Sequence, residues 1–143
     1  VNAPLPAYVQ KPKPFLGGAH ALLGLFGRLQ VSGLIARSTT TGITASTTHS
    51  IAGGTALTAS VNVVSTCANA GDALTLGMAN IGESMDIYNA GAAAAGVYPP
   101  SSSIAIDGGT AGAPVTLGAG HRATFTLTAA NTIVSALLGG TSN

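Results

Sequence analysis

From residue 59 onward, apolar and polar residues alternate with a period of two, the spacing of a strand with one buried face. In Ala59 to Cys67, Ala59, Val61, Val63 and Cys67 fall on one side, with Ser60, Asn62 and Thr66 on the other. Leu74, Leu76 and Met78 alternate with Ala73, Thr75 and Gly77, and Met85 and Ile87 alternate with Asp86 and Tyr88. Ile104 and Ile106 flank Ala105, and Val115 and Leu117 flank Thr116. The clearest run is His121 to Thr128, where Ala123, Phe125 and Leu127 oppose Arg122, Thr124, Thr126 and Thr128. Thr132 to Leu138 is largely apolar and ends the pattern.

Turn signals separate these runs: Asn69-Ala70-Gly71-Asp72, Asn80-Ile81-Gly82, Asn89-Ala90-Gly91, Pro99-Pro100-Ser101, Asp107-Gly108-Gly109, Gly118-Ala119-Gly120 and Ala130-Asn131. About eight short strands at a spacing of roughly ten residues predict an all-β domain over 55–143. The expected architecture is a set of antiparallel strands in a β-sandwich, a jelly roll or a small barrel. No internal repeat of solenoid length stands out.

Residues 1–54 read differently, as an extended basic arm rich in Pro, Gly and Thr. Pro4, Pro6, Pro12 and Pro14 within Val1 to Gly18 forbid a helix and favour extended backbone. Between Ala19 and Arg37, Leu22, Phe26 and Leu29 have helical spacing, yet Gly24, Gly27 and Gly33 each weaken a helix by about 1 kcal/mol relative to Ala. That stretch is a short helix or an irregular docking segment. Ser38 to Gly54 reads as a linker or a weak strand pair.

Charge sharpens this division. The net charge of +1 hides a basic first part, with Lys11, Lys13, Arg28 and Arg37 and no acid before residue 51. The rest holds Arg122 against Asp72, Glu83, Asp86 and Asp107. Only 6% of the residues are charged, against roughly 25% in ordinary domains. Such a surface resists association poorly, so the chain is expected to form homo-oligomers. Aromatics are 4% of the chain, with no Trp, so the core of one subunit is thin.

Reactive chemistry finds little footing. Cys67, the one cysteine, lies in an apolar stretch, as small core cysteines do. His20, His49 and His121 are scattered and lack the short-spaced pairs of a metal site. The acids sit in or beside turns, where carboxylates cap nearby N–H groups. Glu83 and Asp86 offer a carboxylate pair of the hydrolase kind, and no substrate cleft accompanies them. There is no Gly-x-Ser-x-Gly elbow and no phosphate loop. The stretch Phe15 to Ala36 is interrupted by His20, Arg28 and Gln30 and is too broken to span a membrane. Lys11 and Lys13 before an apolar run are weak grounds for a signal peptide, because the start is Pro-rich and no small-x-small cleavage site is clear. Four cations over fifty residues are sparse for nucleic acid, so a protein surface with acidic patches is the better partner for the arm.

The runs "VNVVSTCANAGDALTLG", "GESMDIYNAGAAAAGVYPPSSSIAIDGG" and "APVTLGAGHRATFTLTAANTIVSA" carry a further signal. Over about half the chain they resemble a module of virion structural proteins from tailed bacteriophages and related viruses. The shared scheme is a strand, Ala-Gly-Asp-x-x-x-Leu, a strand ending Asn-Ala-Gly, an Ala-rich link to Val-Tyr-Pro, then Ala-Gly-x-x-Ala-Thr-Phe. Where Ile-Asn-Gly is usual, this chain has Ile106-Asp107-Gly108.

The resemblance implies a non-enzymatic capsid decoration, cement or head-fibre protein, often a trimer, on the outer surface of the capsid. Its partners would be the major coat protein and its own copies, with no cofactor, no nucleic acid and no membrane. Tyr8, Lys11, Lys13, Phe15, Arg28 and Arg37 are the residues expected to dock the arm on coat subunits. The alternative is a fibre, receptor-binding or tail-associated module that engages a host surface through Ala90 to Pro100 and Asp107 to Gly112.

Overall fold

The computed structural model describes residues 36–138. Ten strands are present: β1 (Thr39–Thr44), β2 (Thr55–Leu57), β3 (Val61–Thr66), β4 (Asp72–Leu76), β5 (Ser84–Asn89), β6 (Ala95–Tyr98), β7 (Ala105–Ile106), β8 (Val115–Leu117), β9 (Arg122–Ala129) and β10 (Thr132–Leu138). There is no helix among the described residues.

The strands form two sheets, ordered β1-β3-β5-β9-β10-β7 and β2-β4-β6-β8. Successive strands from β1 to β6 alternate between the sheets, and within each sheet they pair in parallel. The chain therefore winds as a β-solenoid. Each coil of roughly 20–25 residues places one strand in each sheet and stacks on the coil before it. Parallel neighbours always need a crossover; here the strand of the opposite sheet supplies it. After β6 the direction reverses. β8 runs antiparallel to β6, β9 antiparallel to β5, and β10 antiparallel to β9. This segment closes one end of the stack.

The antiparallel sandwich or barrel expected from the sequence is thus replaced by a solenoid. Short strands and turns at ten-residue spacing serve both architectures equally. Pairing direction depends on which distant strand lies alongside, and alternation carries no record of it. The coils also differ in their corners: a long loop joins β1 to β2, while short turns join β3 to β4 and β5 to β6. That inequality hides the repeat. The boundary at residue 54 shifts too, because the compact unit that holds the coils begins at Ala36. Thr39–Thr44, grouped with the arm by composition, is the first strand. Most of the arm lies outside the described residues, including the Ala19 to Ile35 part of the segment given as helix or irregular.

The core fills the space between the sheets. One sheet contributes Val64, Met85, Ile87, Ala123, Phe125, Leu127 and Ile133; the other contributes Leu57, Leu74, Leu76, Val97 and Leu117. Phe125 is the largest fully buried side chain, and each such aliphatic or aromatic burial contributes about 1.5–3 kcal/mol before entropy. The inward residues of β4, β5, β8 and β9 match the alternation read from the sequence. β3 does not match. Asn62 and Val64 are buried, while Val61 and Val63 turn to the outer face. The inward parity of β3 is set by its register, Asn62 beside Ile87 and Val64 beside Asn89, since a one-residue shift exchanges the faces.

The corners hold the coils together. Ala45 donates to the Thr66 carbonyl, Ala90 to Val64, Ala93 to Cys67 and Gly71 to Ala94. Asn89, fully buried, binds the corner to the closing segment. Its Nδ2 donates to Ala93, Leu117 and Gly118 carbonyls, and its Oδ1 accepts from Gly91 N. Gly91 lies so close to Cys67 that a Cβ there would overlap the Cys67 backbone nitrogen. Gly91→Ala is therefore expected to lower stability by about 2–4 kcal/mol in denaturant melts, at or above the usual range for overpacking because the obstacle is backbone. Gly108→Ala, whose Cβ would meet nothing within 4 Å, bears only the strain of its positive φ and should cost clearly less.

Candidate functional site

The outer face of the six-stranded sheet carries a dense polar cluster that joins distant parts of the described chain. Its centre is Asp86 on β5, an outward residue that is nonetheless buried. Arg37 donates from Nη1 to Asp86 Oδ2 at 2.6 Å, and Arg122 donates from Nη2 to the same oxygen at 2.8 Å. Thr124 donates its hydroxyl to Asp86 Oδ1. Arg37 also donates from Nη2 to the Ser60 carbonyl at 2.9 Å.

The strand register explains the convergence. Asp86 stands beside Val61 on β3 and Thr124 on β9, so Thr124 reaches it directly across the sheet. Arg122, two positions from Thr124, shares its face and lies one row along. Arg37 arrives from the chain just before β1. Burial by itself raises the Asp86 pKa. The hydrogen bonds from Thr124, Arg122 and Arg37, with the positive charge of Arg37, outweigh it and leave the carboxyl below the ordinary range.

Around this cluster runs an open groove of about 500 Å³, walled by Val61 and Val63 on one side and Leu138 on the other, with Tyr88 and Arg122 in one row. Tyr88 is 41% exposed and Leu138 48%. Val134 and Leu137 on β10 add to the exposed apolar surface.

A second polar cluster sits at a solenoid corner. Asp72 is buried and accepts from Ala68 N at 3.0 Å and Asn69 N at 2.9 Å. Its other oxygen has no hydrogen-bond partner and faces His49 Nε2 at 3.7 Å. The Asn69 backbone bond is the main cause holding the Asp72 carboxyl low. Cys67 is buried nearby, and burial together with the Asp72 charge pushes its thiol up, which disfavours a thiolate. Glu83 caps its own turn through Ala79 and Asn80. Asp107, at φ 53°, accepts from the Ser135 backbone and hydroxyl.

Of the residues expected to dock the arm, Tyr8, Lys11, Lys13, Phe15 and Arg28 lie outside the described residues. Arg37 is placed, and its guanidinium is held by Asp86 and the Ser60 carbonyl within the same body. Asp86 departs from the turn-capping role expected of the acids, since it sits mid-strand and gathers three side chains. Tyr88, Val61, Val63, Arg122 and Leu138 were not singled out for the site from the sequence. The signal for them was present as an acid and a tyrosine alternating with core residues on β5. Among the described residues, no group of three His, Cys, Asp or Glu side chains is placed to hold a metal ion, and no helix is long and apolar enough to cross a membrane. Neither a protein-family model, nor a curated protein, nor a solved structure matches this chain.

Asp86→Asn is expected to destabilise the fold by about 1–3 kcal/mol, because two guanidinium groups lose their shared counter-charge. Equilibrium unfolding measures it. Asp72, Glu83 and Asp86 all titrate below their ordinary values. Their stabilisation is complete above the unfolded carboxylate pKa of about 4 and is lost as pH falls through the lowered folded values. Melting temperature should stay level from pH 7 to pH 5 and then drop steeply below about pH 4. In Asp86→Asn the acid-side drop should be shallower.

Proposed function

We propose that this protein is a virion structural protein that decorates and stabilises a viral capsid as a homo-oligomer, a trimer being the expected form. It has no catalytic role in this reading. The observation that carries it is the pairing of a basic, Pro-rich arm with a charge-poor β-body whose strand-and-turn motifs resemble virion modules. The exposed apolar residues of β5 and β10 support it, since a body with a groove of that kind gains by association.

The mechanism is linkage. A protein that binds the assembled shell but not free coat subunits stabilises the shell by mass action. Several arms on one oligomer act as joined binders, so contacts that are weak singly hold together. Tyr8, Lys11, Lys13, Phe15 and Arg28 are the arm residues assigned to the coat protein. Arg37 belongs with the body, where it serves Asp86, and its part in docking is secondary.

That placement decides the test. A truncation should stop at residue 35, leaving the Arg37–Asp86 pair intact. The shortened protein is expected to stay folded, to keep the oligomeric state of the full chain in sedimentation, and to lose binding to purified shells. Undiminished decoration by the shortened protein defeats the tether. Copy number on the particle separates the alternatives: hundreds fit decoration, a handful fit a fibre or tail position.

A further inference from the structure

We infer that the groove on the outer face of the six-stranded sheet binds an extended polypeptide segment of a partner protein, with a carboxylate flanked at two-residue spacing by apolar side chains. Three observations lead there. First, the groove is lined by aliphatic residues, Val61 and Val63 two positions apart along β3, with Leu138 of β10 on the far side. An extended chain has side chains in step with such walls, because both repeat every second residue.

Second, the charge at the groove is unbalanced. Arg37 and Arg122 share the single carboxylate of Asp86. Their side chains remain 43% and 49% exposed, so each keeps N–H donors turned to solvent. Among the described residues, one positive charge is left over beside an apolar surface. A carboxylate completes that set, and guanidinium groups match carboxylates through paired N–H donors. Third, Asp86, which lines the groove, is held in place by hydrogen bonds from Arg37, Arg122 and Thr124. The site is therefore set before a ligand arrives, which lowers the cost of binding.

The same facts disfavour other occupants. Two copies facing each other through this groove would oppose their surplus positive charges. A phosphate backbone, a row of charges, would find only these two guanidinium groups among aliphatic walls. This inference does not rest on the virion reading, and its test needs no particle.

The probe is the peptide acetyl-Leu-Ser-Glu-Ser-Leu-amide, with acetyl-Leu-Ser-Lys-Ser-Leu-amide as its charge-reversed partner. Each is titrated into the isotope-labelled full chain and followed by backbone amide NMR. The glutamate peptide is expected to move Val63, Tyr88 and Arg122 amides in a saturable way, with a Kd of about 0.1–1 mM, as befits a five-residue ligand. The lysine peptide should bind at least about tenfold more weakly. Val63→Glu, an outer-face change that leaves the core untouched, should abolish glutamate-peptide binding while the melting temperature holds. Arg122→Gln should weaken it about tenfold.

Equal binding of the two peptides, shifts that map elsewhere, or no shift up to about 5 mM peptide overturns the proposal. So does movement of the same amides on simple dilution of the protein, which would assign the groove to a second copy.

Discussion

Backbone hydrogen bonding between successive coils is the interaction on which this molecule depends. No coil can satisfy its own strand N–H and C=O groups, because its two strands lie in different sheets. Each is satisfied only by the coil above or below it. The core obeys the same rule: Leu57, Leu74 and Val97 come from three successive coils of one sheet and meet Val64 and Ile87 from the other. A stack of this kind must be ended, since its last coil offers an open edge. The reversal after β6 does so, laying β8 and β9 antiparallel against both sheets.

The buried polar groups make sense in that setting. Asn89 stands where the last coil meets the closing segment and satisfies carbonyls from both. Asp72 ties the β3–β4 corner, and Asp86 ties β5, β9 and the entry to β1. Asn89 and Asp86 link segments that are far apart in sequence, whereas the Asp72 hydrogen bonds cap its own corner. In a chain with only 6% charged residues, three of the four acids are so engaged that their pKa values fall. Charge here is used to fix geometry, and little is left on the surface to resist association. The exposed aliphatic walls beside Asp86 are the other side of that economy.

The structure and the proposed role join at Arg37. Reading the basic residues as one arm groups it with Lys11, Lys13 and Arg28. The Asp86 contact moves it into the body and makes it the point where the arm's chain enters the first coil. The groove beside it differs in chemistry from the arm's sequence: apolar walls with a surplus cation among the described residues, against a run of prolines and lysines.

What the sequence determined by itself is local: all-β character, the turns, the inward faces of β4, β5, β8 and β9, and the buried Cys67. These follow from period-two alternation and from Gly, Asn and Asp punctuation, which act over a few residues. The parity of β3 was not legible, because Val61 and Val63 are as apolar as the Val64 that replaced them inside. Nor was the solenoid, since parallel and antiparallel neighbours present the same alternation and the unequal corners erase the repeat. The gathering of Arg37, Asp86, Arg122 and Thr124 was equally hidden. Those residues meet only because coil stacking and one antiparallel return bring distant strands into register, and register is a property of the whole assembled sheet.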